Sequence, residues 1–401
     1  MARFKTLDDL KPSGRRVLVR VDFNVPMRDG QVTDASRIER SLPTIRDLTE
    51  RGARVVLISH LGRPKGQRNP DLSLRSVAAA LSSALGDQPV AFAEDCIGDA
   101  AEQAVAGLGD GGIALLENLR FHAEEEVNDA AFAAALARLA DFYVDDAFSA
   151  AHRAHASVEA IAKLLPAAAG RLMEAELTHL AEALETPERP LAIVVGGAKI
   201  STKLDLLRNL IEKADMLMVG GGMANTFLHA QGTEVGASLC EREMGEVARE
   251  VLVHAKEVAC EVILPSDAVV ASELKPGVPT EVVPVTDVRP DQMILDIGPE
   301  TADMLGRCLD GCRTLLWNGP LGCFEVPPFD EGTNAVAKSA AALTRAGRLR
   351  SVAGGGDTIA ALAHAGAVDD FSYVSTAGGA FLEWLEGKPL PGVAALERAA
   401  V

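Results

Sequence analysis

The stretch SVAGGGDTIAALAHAG (residues 351–366) decides the fold. It reads as a short apolar strand, a glycine triplet (Gly354, Gly355, Gly356), the polar pair Asp357-Thr358, and then a helix. A strand that passes through a tight turn straight into a helix is the building unit of a parallel α/β sheet. The same grammar recurs in both directions. In the first half the apolar runs are VLVRVDF (17–23), ARVVLIS (53–59), PVAFAED (89–95), IALLENL (113–119) and FYVDDAF (142–148). In the second half they are LAIVVGG (191–197), MLMVGGG (216–222), EVILPSD (261–267), MILDIGP (293–299), TLLWNGP (314–320) and YVSTAGG (373–379). Continuous Val/Ile/Leu runs with Ala/Leu-rich helices between them predict strands buried on both faces of a parallel sheet.

At 401 residues the chain is too long for one ordinary core. The boundary is expected at 170–190, where MEAELTHLAEALETP reads as an amphipathic helix stopped by Pro187 and Pro190. The expected architecture is α/β: two doubly wound, Rossmann-like domains with parallel sheets, joined by a hinge helix. Domain limits are expected at 1–172 and 188–379, with the hinge at 173–187. No internal repeat or low-complexity tract interrupts this.

Composition excludes several classes. Hydrophobic residues make up 48% and charged residues 24%, so the chain is neither disordered nor collagen-like. Aromatics are 4% and the net charge is −18, which argues against nucleic acid as a partner. The charge is uneven: residues 1–75 hold 16 Lys/Arg and 9 Asp/Glu, whereas the other 326 hold 23 and 48. A basic region on an acidic chain points to a small anionic ligand. The six cysteines form no CxxC pair and read as reduced thiols. The opening MARFKTLDDLKPSGRR has no apolar signal region, and no run approaches a membrane span. A cytoplasmic protein with no membrane partner is therefore expected.

Most strands end in a polar or glycine-rich cluster. In open parallel sheets, ligands sit beyond the carboxyl ends of the strands. The chemistry is thus expected along the strand ends of both domains, facing across a cleft. In the basic half these ends carry Asp22, Asn24, His60, Arg63, Arg120, His152, Arg153 and His155, with Arg37 just inside a helix capped near Asp34 or Ser36. Four arginines from four separate loops suit carboxylate and phosphate. One of them alone reads as a surface ion pair; the set reads as an anion site. Asp22 and Asn24 suit a substrate hydroxyl, and the histidines read as packing or supporting groups.

In the glycine-rich half, free amides at a helix start attract phosphate. Asp357 is placed for a magnesium ion bridging phosphates. Gly196, Gly197 and Ala198 lead to Lys199 and Lys203, whose spacing predicts one helical face. Gly220, Gly221 and Gly222 suit a wall for a flat base. Asn318, a Pro320 wall and Glu325 suit the rest of a nucleotide, the carboxylate facing ribose hydroxyls. There is no GxxxxGK[ST] loop. The one GxGxxG, at Gly107, Gly109 and Gly112, precedes a strand instead of following one, so it reads as a turn. No nucleophile–base pair is evident. Phosphoryl transfer fits, because its catalysis is positioning plus charge stabilisation.

Taken in order, RVDFNVP, SHLGRP, LLENLRF, AHRAHAS, VVGGAKISTKL, VGGGMANTF, WNGPLGCFE and GGGDT resemble the phosphoglycerate kinase family, over about residues 17–392. The resemblance implies reversible phosphoryl transfer between 1,3-bisphosphoglycerate plus ADP and 3-phosphoglycerate plus ATP, with Mg2+, by a monomer. It implies that Asp22, Asn24, Arg37, His60, Arg63, Arg120 and Arg153 hold the glycerate. Arg37, Lys199, Gly356 and Gly379 are the implied catalytic set, Gly378 and Gly379 presenting amides at a helix start. Gly197, Ala198, Lys203, Gly221, Asn318, Pro320, Glu325, Gly354, Gly355, Gly356, Asp357 and Thr358 are the implied nucleotide set, with Asp357 on the metal. Residues 380–401 are expected to return to the N-terminal domain. The chain departs from the family pattern at Ala377 (usually glycine), Phe381 (usually serine), Cys323 and Ile294. Two other readings stay open: a silent paralogue acting as a binding partner, and a nucleotide-dependent dehydrogenase, which lacks its fingerprint here.

Overall fold

The computed structural model describes residues 4–400, so the first three residues of the opening stretch lie outside it. The chain divides into two compact units. Unit 1 is built from the chain up to Leu177 together with the stretch from Pro389, and unit 2 is Thr178–Lys388.

Unit 1 is organised by six parallel strands: β1 Arg16–Arg20, β2 Arg54–Ile58, β3 Val90–Ala93, β4 Ile113–Leu116, β5 Phe142–Asp145 and β6 Ala167–Ala169. Their spatial order is β3-β4-β2-β1-β5-β6. Val17 sits between Val55 and Phe142, so β1 is the central strand where the winding reverses. The helix Ser36–Glu50 covers the sheet with Ile38, Leu42, Ile45 and Leu48, a stripe at helical spacing. These side chains join Val17, Val19, Val55, Leu57, Leu115 and Val144 in one core. The helix is capped otherwise than expected. Ala35 is the N-cap residue and offers no side-chain acceptor, while Asp34 Oδ1 accepts from Ser36 N at 2.8 Å.

The last helix, Pro391–Ala400, belongs to this unit. Gly392 N donates to Ala151 O at 2.9 Å, and a Cβ on Gly392 would lie 2.8 Å from Val158. Lys5 Nζ donates to Ala399 O at 3.1 Å.

Unit 2 repeats the plan with β7 Leu191–Val195, β8 Met216–Val219, β9 Glu261–Ile263, β10 Asp267–Ala271, β11 Glu281–Pro284, β12 Met293–Ile297, β13 Thr314–Asn318, β14 Arg350–Gly354 and β15 Tyr373–Ser375. Six of them form a parallel sheet in the order β9-β8-β7-β13-β14-β15, with the reversal between β7 and β13. Ligand sites of doubly wound sheets lie at such reversals.

Several expectations need correction. The runs 261–267 and 293–299 do not simply extend the parallel sheet. Pro265 divides the first, and β10, β11 and β12 form a separate antiparallel sheet in the order β11-β10-β12. β6 is three alanines, with none of the β-branched residues that signal a strand; its pairing with β5 creates it. The return to unit 1 begins at Pro389, not residue 380. The helix Gly379–Leu385 packs on Leu204–Ile211 of unit 2, and Asn209 Nδ2 donates to Leu385 O at 2.6 Å. The expected hinge segment is a helix, Arg171–Leu180, followed by a wider turn, Ala181–Glu185, and the division between units falls inside it. Gly107, Gly109 and Gly112 form the turn before β4, as expected. All six cysteines are free. Among the described residues no helix is long and apolar enough to cross a membrane.

Candidate active site

In unit 1 the reversal between β1 and β5 gathers the polar strand ends. Asp22 follows β1. Its carboxylate accepts from Asn24 N at 3.0 Å and from Ser149 Oγ at 2.5 Å, and it pairs with the Arg37 guanidinium. Arg37 stands in the first turn of Ser36–Glu50 and stays partly exposed. Asn24 Oδ1 accepts from Gly62 N at 2.8 Å, and Arg120 Nη1 donates to Gly62 O at 2.8 Å. The Gly62 peptide is therefore held from both sides, which fixes the loop that presents His60 and the exposed Arg63.

Beneath this surface lies a buried network. Arg20 is fully buried at the end of β1. Its Nε donates to Ser157 Oγ at 3.0 Å and its Nη2 lies 3.0 Å from His60 Nδ1. Glu125, also fully buried, accepts from Ser157 N at 2.9 Å and Ser157 Oγ at 2.6 Å. Burial pushes the His60 imidazolium far down, helped by the charges of Arg20, Arg120 and Arg153. His155 is pushed down to about 3 by burial and then by Arg120, Arg20 and Arg153. Arg120 itself drops to about 10 through burial, opposed by Glu126. Arginines gathered this closely suit a bound anion, whose charge offsets their repulsion. Arg153 is half-buried, with Nε donating to His152 Nε2 at 3.2 Å.

In unit 2 a pocket of about 330 Å3 opens at the reversal between β7 and β13. Gly197, Ala198, Gly221, Pro320, Glu325 and Asp357 line it, with an apolar wall that includes Leu239, Leu274 and Met293. Backbones meet closely here. A Cβ on Gly196 would collide with the Pro320 carbonyl, and one on Gly221 would lie 2.8 Å from Gly197 O. Gly355 adopts φ 101°, a left-handed conformation suited to glycine, and leads into the helix Gly356–His364. Asn318 joins the strand ends. Its Oδ1 accepts from Lys203 Nζ at 2.8 Å and its Nδ2 donates to Gly354 O at 2.8 Å. Thr358 Oγ1 accepts from Gly319 N at 2.7 Å. Burial pushes the Lys203 ammonium down to about 8, against the pull of Asp357.

The expected shared helical face of Lys199 and Lys203 is not formed. The helix begins only at Leu204, because Ile200 O and Lys199 O are taken up in a preceding turn by Lys203 N and Thr202 Oγ1. Lys203 turns inward to Gly196 O at 2.7 Å, while Lys199 is exposed. Gly378 (φ 54°) leads into the seven-residue helix Gly379–Leu385. The fully buried Phe381 ring lies against Gly354, where a Cβ would approach it to 2.7 Å. Ile294 and Cys323 line the pocket.

The Asp357 carboxylate is exposed in the first turn of its helix and lines the pocket, and no hydrogen bond or ion pair among the described residues engages it. A free hard oxygen donor beside helix amides fits magnesium, which takes one or two carboxylates plus phosphate oxygens.

Sequence reasoning missed Arg20, Glu125, Ser149 and Ser157. Only Arg20 had a signal: a charge inside the run VLVRV, where a doubly buried strand excludes one unless it is paired. It also missed Asp296, a buried pocket carboxylate that burial pushes far up and that accepts from Gly332 N at 2.7 Å.

Comparison with known proteins identifies the family. The sequence model of the family described as phosphoglycerate kinase matches residues 7–388. A phosphoglycerate kinase of Methylorubrum extorquens (strain PA1) is 61% identical over 397 residues, 99% of each chain. One of Sinorhizobium medicae (strain WSM419) is 60% identical over 396 residues, 98% of this chain and 99% of its own. The solved phosphoglycerate kinase of Coxiella burnetii superposes with a TM-score of 0.93 at 42% identity, covering 99% of this chain and all of its own. That of Pyrococcus horikoshii OT3 gives 0.80 at 32%, covering 98% and 99%. The chain belongs to the phosphoglycerate kinase family.

Proposed function

We propose that this member of the family divides its reaction between the two units. The reaction is the reversible transfer of a phosphoryl group between 1,3-bisphosphoglycerate and ADP, giving 3-phosphoglycerate and ATP, a step of glycolysis. Unit 1 holds the glycerate through Asp22, Asn24, Arg37, His60, Arg63, Arg120 and Arg153. Unit 2 holds the nucleotide through Gly197, Ala198, Lys203, Gly221, Asn318, Pro320, Glu325 and the Gly354–Thr358 turn. The observation that carries this division is the gathering of Arg20, Arg120, His60 and His155 at the reversal of one sheet, the last three shifted down chiefly by burial, with a glycine-walled pocket at the reversal of the other.

The acceptor carboxylate is ionised at neutral pH, so it attacks the γ-phosphorus without a general base, and the bond from that phosphorus to the β–γ bridging oxygen breaks. What the protein supplies is alignment and compensation of charge on the migrating group. Arg37 and Lys199 act there as donors, and the amides of Gly356 and Gly379 hold phosphate oxygens at helix starts. Asp357 would hold Mg2+, which when bound neutralises phosphate charge and orients the β- and γ-phosphates. His60 and His155 stay neutral, so neither repels the arginines beside it.

Reacting atoms must come within roughly 3–3.5 Å, and water must be kept from the activated phosphoryl group. We therefore read the segment 173–187 as a hinge that brings the loaded units together. A monomer working in the cytoplasm completes the reading, and its free thiols accord with a reducing compartment. Family membership removes the dehydrogenase alternative.

The test is a coupled assay with 3-phosphoglycerate, MgATP and glyceraldehyde-phosphate dehydrogenase. Turnover is expected; none from folded protein that binds both ligands would favour a silent paralogue. Scattering from the free, singly loaded and doubly loaded protein tests the hinge. Both ligands together should lower the radius of gyration more than either alone.

A further inference from the structure

Among the described residues one set of three metal-ligating groups converges, in unit 1: Asp95, Cys96 and His122. Asp95 and Cys96 follow edge strand β3, and His122 follows the short turn Leu119–Phe121. Neither the glycerate set nor the nucleotide set uses these residues. Their ligand atoms all lie within 4.8 Å of one another. His122 Nε2 is 2.7 Å from Asp95 Oδ1, which also accepts from Cys96 N at 2.7 Å.

We propose that Asp95, Cys96 and His122 form a binding site for a borderline-soft divalent cation of the zinc type, with a fourth position left to water. Tetrahedral bonds of about 2.0–2.3 Å to sulfur, nitrogen and oxygen separate ligand atoms by roughly 3.3–3.8 Å. The set reaches that spacing by small side-chain rotations, the His122–Asp95 contact opening slightly to admit the ion. A thiolate with an imidazole and one carboxylate selects zinc over magnesium or calcium, which prefer oxygen.

The surroundings favour a cation. The Asp95 carboxylate stands beside the Cys96 thiol, its Oδ1 held by the Cys96 amide. On binding, the thiol proton leaves to solvent and a metal–sulfur bond forms. The ion's two positive charges then balance the thiolate and the Asp95 carboxylate. The outer groups are already set. Arg68 Nη2 donates to Asp95 Oδ2 at 3.4 Å, and the Phe132 ring lies 5.2 Å from the His122 ring. Such contacts orient ligands before the ion arrives. Cys96 is almost wholly buried, whereas Asp95 and His122 keep partly exposed side chains, so the ion has a path in.

The full-length, nucleotide-free protein tests this, so that no phosphate-borne metal interferes. Cobalt is used as an optical probe and zinc in equilibrium dialysis. The expected result is a thiolate-to-cobalt charge-transfer band, a single tight zinc equivalent that displaces cobalt, and a zinc-induced rise in Tm. Cys96→Ser should abolish the band and the rise in Tm. His122→Gln and Asp95→Asn should each weaken zinc binding at least about tenfold. Cys260→Ser should change nothing. The proposal is overturned if no thiolate band forms, if the band survives Cys96→Ser, or if folded His122→Gln and Asp95→Asn bind zinc as the parent does.

Discussion

The guanidinium of Arg20 lies 3.0 Å from Nδ1 of His60. A guanidinium only donates, so Nδ1 is the acceptor and the single proton of the neutral ring is on Nε2. Arg20 thereby decides which edge of His60 donates to a ligand. Nitrogen-15 spectra of the imidazoles should show His60 as the Nε2–H tautomer, still neutral at pH values where an ordinary histidine is already protonated. Arg20→Lys, which loses the planar fork, should mix the tautomers and weaken 3-phosphoglycerate more than nucleotide.

Arg37 pairs with Asp22 from a helix start while its side chain stays partly exposed, so the fold does not depend on it. Arg37→Ala should melt like the parent yet lose about a hundredfold in kcat, on the order of 3 kcal/mol of transition-state stabilisation. Steady-state kinetics beside thermal melts check this. An unchanged kcat would remove Arg37 from the mechanism.

Asp357→Ala should weaken MgADP binding and turnover while 3-phosphoglycerate binding stays near normal. Calorimetric titration of each ligand separates the cases, since equal losses for both would mean a damaged fold.

Lys203 loses its proton at about pH 8 in the free chain, because burial disfavours its charge. Phosphate favours the ammonium. Nucleotide affinity should therefore fall as pH rises from 7 to 9, and binding near pH 8 should take up a proton. Calorimetry in two buffers of different ionisation heat measures that uptake. Lys203→Met should abolish it.

Asp146 Oδ1 accepts from Leu172 N at 2.9 Å and Met173 N at 3.2 Å, holding the start of the helix Arg171–Leu180. Burial pushes this carboxyl up to about 7. A raised folded pKa means the folded state holds the extra proton. The stability it brings is full below the ordinary carboxylate value and is lost as pH rises through about 7. Asp146→Asn keeps the acceptor without the charge. It should be more stable than the parent at pH 8, by roughly 2–4 kcal/mol, and the advantage should shrink toward pH 4. Denaturant melts across that range give the difference.

What was legible in the sequence is explained by these residues. Leu191–Val195 is a continuous apolar run and Arg54–Ile58 is apolar after its first residue, and both end in polar turns, so both parallel sheets and their polar strand ends could be read directly. Ala167–Ala169 could not, because alanine carries no strand preference and only its partner β5 makes it a strand. The antiparallel sheet escaped notice because Pro265 and the exposed β11 broke its pattern. The apolar pocket wall was invisible for a related reason. Leu239, Leu274 and Met293 come from separate segments that share no period. The spacing of Lys199 and Lys203 predicts one helical face, but the direction of Lys203 depends on Asn318, 115 residues away.

The return of Pro391–Ala400 to unit 1 sets an order on the ribosome. Unit 2 is one uninterrupted stretch and is complete when Lys388 emerges. Unit 1 has most of its sheet long before that, but its closing helix follows only after the whole of unit 2, roughly ten to forty seconds of synthesis later. Until then Ala151 O lacks the Gly392 amide, and Val158 is without the neighbour that covers it. The half of the molecule made first is thus the half finished last. A chain cut short near residue 388 would lose its footing in the unit whose arginines lie hundreds of residues upstream.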